Sequence, residues 1–188
     1  MRHRILATAV LLALLASCQA SAPAPTPTAL PSAAPSPTAT PKPTPSSEPE
    51  PSLSDDLRPV YQTVRSYLAA YDAWGANPTD DYTSVTNYTT GDARDLLVIV
   101  LRRQKEAVAR VTGEPIYRGW SVRLIDPLLD GTAQASVEVC SDNAKMTLEH
   151  KDGRREPATG THVGSFTLQQ VTARNWVISQ FLFREESC

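Results

Sequence analysis

The residues best suited to acid–base chemistry are one histidine and two tyrosines. His162 shares a predicted strand face with Gly164, Phe166 and Leu168, and Tyr67 and Tyr71 lie one turn apart on a predicted helix. An imidazole and a phenol inside an apolar pocket can move a proton or hold a carbonyl group. The structural alternative is a histidine at the rim and tyrosines packed with their hydroxyls at the edge of the core.

Other chemistries find no support in the sequence. There is no Ser-His-Asp order, no Gly-rich phosphate loop and no metal-ligand spacing, so we predict no catalytic residue, no metal and no cofactor. The strand positions predicted to face inward carry neither a carboxylate nor an imidazole apart from His162. They are Ala133, Ala135, Val137 and Val139; Trp176, Ile178, Gln180 and Leu182; and Ile116, Arg118, Trp120, Val122 and Leu124.

The N-terminus predicts export. A short basic start precedes about a dozen apolar residues, which is too short for a membrane-spanning helix and typical of a signal peptide. Residues 15–18, Leu-Ala-Ser-Cys, resemble a bacterial lipobox, so residues 1–17 are a predicted lipoprotein signal peptide and Cys18 the lipidated residue. The alternative is ordinary cleavage after residues 20–22, Ala-Ser-Ala, which would release a secreted protein.

Residues 18–54 are predicted to be a disordered tether behind the lipidated cysteine. The stretch 19–51 holds 11 of the 16 prolines, most of the rest being Ala, Ser and Thr, and such a composition cannot bury enough apolar surface to fold. Extended polyproline II would let it reach roughly 100 Å at about 3.1 Å per residue. A spacer, a glycosylated stalk and a segment without a length requirement all remain compatible with this composition.

The other two cysteines form an even pair. With Cys18 lipidated or removed, Cys140 and Cys188 are left in an oxidising compartment, which predicts a disulfide between them. Two free thiols are the alternative. A zinc site is disfavoured because no Cys or His lies at ligand spacing to either residue.

Residues 55–188 are predicted to form one α+β domain with helices packed on a curved antiparallel sheet. Apolar spacing predicts a helix over 59–75, a short helix within 80–88 and one long helix from Asp92 to about Val111. Alternating strands follow over 116–125, 133–140, 145–150, 161–171 and 175–184. The domain is near neutral, with 15 Lys and Arg against 18 Asp and Glu, and lacks a basic cluster among aromatics, so nucleic acid is not a predicted partner.

This order of elements resembles the nuclear-transport-factor-2-like cone fold, a cystatin-like architecture, as found in actinobacterial lipoproteins and secreted proteins. The matching segments are "VTGEPIYRGWSV", "ASVEVCSD", "HKDGRR" and "ARNWVISQFLFREESC". The resemblance implies a cone-like domain whose open end lies near Tyr67, Tyr71, Trp120, His162 and Trp176. Ketosteroid isomerase, scytalone dehydratase and polyketide cyclases share this fold and place an Asp or His with a Tyr inside the cone.

We therefore predict an extracytoplasmic lipoprotein, anchored to the bilayer by its N-terminal lipid, whose domain binds or assembles without catalysis. The expected partners are a small hydrophobic ligand in the cone, or an envelope protein or second copy on the outer sheet face. An isomerase- or cyclase-like enzyme and an accessory subunit of a cell-envelope complex are the alternatives.

Replacing Cys18 by alanine tests the anchor. The lipid is attached through the thiol of this residue, so Cys18→Ala should take up no labelled fatty acid and should leave the membrane fraction. Labelling and fractionation of cells expressing either form give the measurement. Retention of the variant in the membrane, together with an unlabelled wild type, would show that the lipobox assignment is wrong.

Overall fold

The computed structural model describes residues 51–188, so the predicted signal peptide, Cys18 and nearly all of the tether lie outside the described residues. Three helices precede seven strands. The helices are α1 (Arg58–Ala76), α2 (Thr83–Thr86) and α3 (Gly91–Ala107); the strands are β1 (Val108–Thr112), β2 (Ile116–Ile125), β3 (Gln134–Asp142), β4 (Thr147–His150), β5 (Arg155–Pro157), β6 (Thr161–Thr172) and β7 (Asn175–Glu185). Within this range no helix has the length and apolarity needed to cross a membrane.

The strands form two antiparallel sheets. β2, β3, β6 and β7 lie side by side in that order, and β1, β4 and β5 form a smaller three-stranded sheet. Antiparallel neighbours can be joined by short turns, which suits a chain whose strands are mostly separated by a few polar residues. The predicted α+β class, with helices before a curved antiparallel sheet, is confirmed.

The core lies between α1 and the inner face of the larger sheet. Helix α1 buries residues three and four positions apart, the spacing that puts side chains on one helical face. Alternate residues of β3, β6 and β7 pack against this face of α1, since successive side chains of a strand point to opposite faces. The buried set includes Val60, Val64, Tyr67, Leu68, Trp74, Ala135, Val137, Val139, Phe166, Leu168, Trp176 and Ile178.

The prediction of one long helix to Val111 is wrong. Helix α3 ends at Ala107, and β1 begins at Val108 and pairs with β4. Residues 102–107 have strong helical propensity, whereas the next five include three β-branched residues, which favour strands when a partner strand is available. Pairing with β4 therefore decides the conformation of Val108–Thr112.

The predicted inward face of β2 is wrong in part, because a β-bulge divides the strand. Arg118 pairs with Cys140 and Ser121 with Glu138, so Gly119 and Trp120 together oppose a single residue of β3. Gly119 has a φ of 64°, a left-handed conformation that glycine adopts at little cost. The extra residue puts Tyr117, Trp120 and Val122 on the core side, while Ile116, Arg118 and Leu124 are exposed.

A second bulge changes the predicted face of β7. Thr167 pairs with Gln180 and Leu168 with Ile178, which leaves Ser179 as an extra residue. Trp176 and Ile178 are buried as expected, but beyond the bulge Phe181 packs on the core and Leu182 is 55% exposed. The assignment of Gln180 and Leu182 to the inner face is therefore wrong.

A disulfide joins Cys140 to Cys188, with their Cα atoms 6.0 Å apart. Cys140 lies on β3 and Cys188 follows the end of β7, whereas β6 lies between these two strands. The bond therefore joins β3 to the segment that follows β7 and holds the C-terminus against the larger sheet.

The bulge in β2 can be tested by changing Gly119. Alanine at a φ of 64° should lower the free energy of unfolding by about 1–2 kcal/mol, because a Cβ atom is strained in the left-handed region. No clash adds to this cost, since the nearest atom to an added Cβ is the Cβ of Cys140 at 4.0 Å. Denaturant unfolding measures the change.

The matched variant is Gly119→Asn, because asparagine tolerates the left-handed region better than alanine does. We expect it to lose clearly less stability than Gly119→Ala. Equal stability of the alanine variant and the wild type would contradict the bulge geometry.

Candidate functional site

A cleft opens between the end of α1, the two sheets and the turn before β2. It consists of two adjoining cavities of about 690 Å³ and about 320 Å³. Six residues line both of them: Tyr71, Asp72, Pro115, Asn143, Met146 and His162. We call these two adjoining cavities the cleft.

Most of the cleft wall is apolar. The larger cavity adds Val111, Leu148, Pro157 and Ala158 from the side of the smaller sheet. The smaller cavity reaches into the larger sheet and is lined there by Leu68, Val139, Gly164 and Phe183. Gly164 lets the Phe166 and Phe183 rings pack close to the β6 backbone, because a Cβ atom at that position would lie 2.9 Å from the Phe166 ring and 3.2 Å from the Phe183 ring. A ligand in the cleft would thus contact mainly hydrocarbon and aromatic surface.

The main polar group on the wall is a carboxylate held by a tyrosine. Asp72 lies near the C-terminal end of α1, and the Tyr117 hydroxyl on β2 donates to it, 3.0 Å from each carboxylate oxygen. The bulge at Gly119 puts Tyr117 on the inner face, so helix and strand meet through this contact. In the part of the chain that the structure describes, Asp72 has no ion-pair partner.

Burial raises the pKa of Asp72 to about 6. The hydrogen bond from Tyr117 opposes this rise by favouring the charged form, and the negative charge of Glu114 adds to it. A carboxyl group with such a pKa can both lose and gain a proton near neutral pH. A raised pKa beside a cleft is a recognised mark of functional sites, although structural carboxylates show it too.

Two further tyrosines surround Asp72. The Tyr71 hydroxyl donates to Oε1 of Gln104 at 2.7 Å, which ties α1 to α3, and burial, with the charge of Asp72, raises its pKa to about 12. Tyr67 is completely buried, and its hydroxyl has no hydrogen-bond partner within residues 51–188. Burial raises the pKa of Tyr67 and of Tyr117, and the charge of Asp72 contributes in both cases. All three phenols therefore stay neutral and act as hydrogen-bonding groups.

The structure places two of the five predicted pocket residues on the cleft wall, Tyr71 and His162. Tyr67 lies behind them in the core, 5.7 Å from the Phe166 ring centroid. Trp120 packs edge-on against Tyr61 with ring centroids 4.8 Å apart, and Trp176 is buried in the core. Neither tryptophan lines the cleft. His162 makes no hydrogen bond to Tyr67 or Tyr71 within the described residues.

Sequence reasoning missed Asp72, Tyr117 and Phe183. An acid or base was expected only on the inward strand faces, but Asp72 continues the helical row of Val64 and Leu68 at intervals of four residues, so α1 itself carried a signal for it. Tyr117 and Phe183 were assigned to outer faces because strict alternation omits the two bulges. The described residues contain no group of three or more His, Cys, Asp or Glu side chains arranged to hold a metal ion.

Comparison with known proteins finds solved structures of distant similarity but no matching sequence family. No protein-family model and no curated protein matches the chain. A ketosteroid isomerase-like protein of Erwinia carotovora atroseptica matches with a TM-score of 0.49 at 17% identity, over 70% of this chain and 96% of that one.

Two other solved structures match less well. A protein of Catenulispora acidiphila has a TM-score of 0.43 at 12% identity over 66% of this chain and 90% of its own length, and Aln2 from a Streptomyces species has 0.37 at 14% over 67% and 90%. The chemistry that the cleft can perform follows from its own residues and their geometry.

Replacing Asp72 by asparagine should change how stability depends on pH. A free Asp carboxyl titrates near 3.9, whereas that of Asp72 titrates at about 6 in the folded protein. Between these pH values the folded state keeps a proton that the unfolded chain has lost, so this group makes the free energy of unfolding fall as pH rises. The asparagine variant lacks this effect. The free energy of unfolding of the variant minus that of the wild type should therefore rise by about 2 kcal/mol from pH 4 to pH 7.5.

Denaturant unfolding of both proteins at the two pH values gives this difference. Asp81→Asn is the matched control, because Asp81 is exposed and its hydrogen bonds from Thr83 lower its pKa. For this control, the free energy of unfolding of the variant minus that of the wild type should fall, not rise, from pH 4 to pH 7.5. A relative stability of Asp72→Asn that does not vary with pH would contradict a raised pKa at Asp72.

Proposed function

We propose that the chain is an exported, lipid-anchored protein whose domain binds an apolar or amphipathic small molecule in the cleft. The observation that carries the binding function is the cleft itself, since its larger cavity of about 690 Å³ is within the usual range for small-molecule sites, about 300–1,000 Å³. Its exposed lining is also more apolar than polar, as is usual for such sites, with polar side chains distributed among the apolar ones.

The cleft offers a ligand both polar and apolar surface. Asp72 and Tyr71 line the part common to both cavities, and Met146 faces the same space. Leu148 and Pro157 extend the apolar wall on one side and Phe183 on the other. A molecule with one polar group and a hydrocarbon body would satisfy both regions.

The lipid anchor rests on the sequence of residues 1–18, and the disulfide between Cys140 and Cys188 supports an oxidising compartment. An exported binding protein fits these two features together. The tether would give the domain reach above the bilayer while the lipid keeps it at the membrane.

A second candidate function is general acid–base catalysis on a substrate held in the same cleft. The specific observation in its favour is Asp72, whose pKa of about 6 suits proton transfer near neutral pH. Tyr71 or Tyr117 would then hold an oxygen of the substrate. The two candidates differ at Asp72→Asn, which removes a proton acceptor but leaves the apolar wall intact.

Binding of the neutral dye phenylnaphthylamine tests the cleft. The full-length chain in a Cys18→Ala background avoids detergent, which would compete for an apolar site. Met146→Trp fills the space common to both cavities and should lower affinity for the dye at least about tenfold, since a filled cleft excludes the ligand. Leu129→Trp is the matched control, because Leu129 is fully exposed and does not line the cleft.

Fluorescence titration of the three proteins gives the affinities. Equal binding by all of them would place the dye outside the cleft, and absence of binding to the parent would contradict an apolar binding site. Turnover of an enolisable ketone that Asp72→Asn abolishes, with dye binding retained, would establish the enzyme instead.

A further inference from the structure

The charged side chains on the cleft wall are of one sign. Asp72, Glu156 and Glu185 line the larger cavity, and the charge of Glu114 acts on Asp72 from the turn before β2. Within residues 51–188 no lysine or arginine lines either cavity, and His162 is the one histidine that does. Three carboxyl groups and no lysine or arginine therefore line the cleft among the described residues.

The carboxylates differ in whether the protein already balances them. Glu156 has two partners, His150, whose Nε2 lies 2.9 Å from it, and Arg154. Asp72 is hydrogen-bonded to the neutral hydroxyl of Tyr117 and, within the described residues, to no cation. Glu185 is paired with His162 in the strand register and also forms no ion pair in this part of the chain.

An uncompensated carboxylate in a half-buried site is costly, and the cost falls when a cation arrives with the ligand. At pH 7.5 Asp72 is ionised, since its pKa of about 6 lies below that pH. Tyr71 and Tyr117 line the smaller cavity together with Asp72, and a tyrosine ring attracts an ammonium group that lies over its face. The same location would repel a ligand carboxylate or phosphate.

We propose that the ligand of the cleft is an organic cation, a protonated amine on an apolar body, with its ammonium group at Asp72 between Tyr71 and Tyr117. The body lies along Met146 and Leu148. This inference rests on the proposed binding function and adds the charge class of the ligand. Probes that share one apolar body and differ only in the polar group distinguish a failure of the charge class from a failure of the binding function.

The probes are naphthylmethylamine, naphthylmethanol and naphthoate, titrated by calorimetry at pH 7.5 into the full-length Cys18→Ala protein. We expect the amine to bind about tenfold more tightly than the alcohol, in keeping with a partly desolvated ion pair supported by cation–π contacts, and the carboxylate to bind weakest. In Asp72→Asn the preference for the amine should be lost, while the affinity for the alcohol stays within about twofold because the apolar wall is unchanged.

Glu106→Gln is the matched control. It removes one negative charge from an exposed position on α3 away from the cleft, so the amine should keep its preference. Tyr117→Phe supplies a second variant that keeps the carboxylate, and it too should prefer the amine. The comparison of the three probes on the parent protein does not depend on any variant folding.

If the alcohol or the carboxylate binds the parent protein as tightly as the amine does, the proposal that the ligand is a cation is wrong, while the proposed binding function still holds. A preference for the amine that survives in a folded Asp72→Asn protein would overturn the role of Asp72. If neither the three probes nor phenylnaphthylamine bind the parent protein, both the cationic ligand and the proposed binding function are wrong.

Discussion

The site depends on the fact that side chains alternate between the two faces of a strand. One extra residue in a strand sends every later side chain to the opposite face. The bulge at Gly119 puts Tyr117 and Trp120, three positions apart, on the same inner face, and the bulge at Ser179 lets Phe181 pack on the core. With strict alternation back from Trp120, Tyr117 would lie on the outer face, and Asp72 would lose the hydrogen bond that it accepts from the Tyr117 hydroxyl.

The sequence allowed good prediction where periodicity is unbroken. The bounds of the main strands, the inner face of β3 and the position of His162 on β6 follow from alternation, and α1 follows from its apolar spacing. Prediction failed where one contact overrides a local pattern. Pairing with β4 ends α3 before Val108, and a left-handed glycine changes the register of β2, and neither effect can be read from hydrophobicity.

Two polar groups at or beside the cleft add an energetic cost to folding. The carboxyl group of Asp72 is partly buried without a cation among the described residues, and the Tyr67 hydroxyl nearby is buried without a hydrogen bond there. A buried polar group left unsatisfied costs about 1–3 kcal/mol, and the Tyr67 hydroxyl carries this cost, whereas the Asp72 carboxyl group accepts a hydrogen bond from Tyr117. A stability penalty of this kind is common where a protein keeps groups for binding or chemistry rather than for folding.

The disulfide has a bearing on the cleft as well as on stability. Phe183 and Glu185, near the end of β7, both line the cleft. Cys188 follows Glu185 by three residues. Strand ends normally fray, and β7 is an edge strand of the larger sheet whose outer edge, among the described residues, is bridged at Ile178 to Thr89 but not near its C-terminal end. The bond to Cys140 fixes this end from the far side of β6. The wall that carries Glu185 and Phe183 is therefore held by a bond that persists outside the cytoplasm, which links the shape of the cleft to the compartment in which we propose the protein acts.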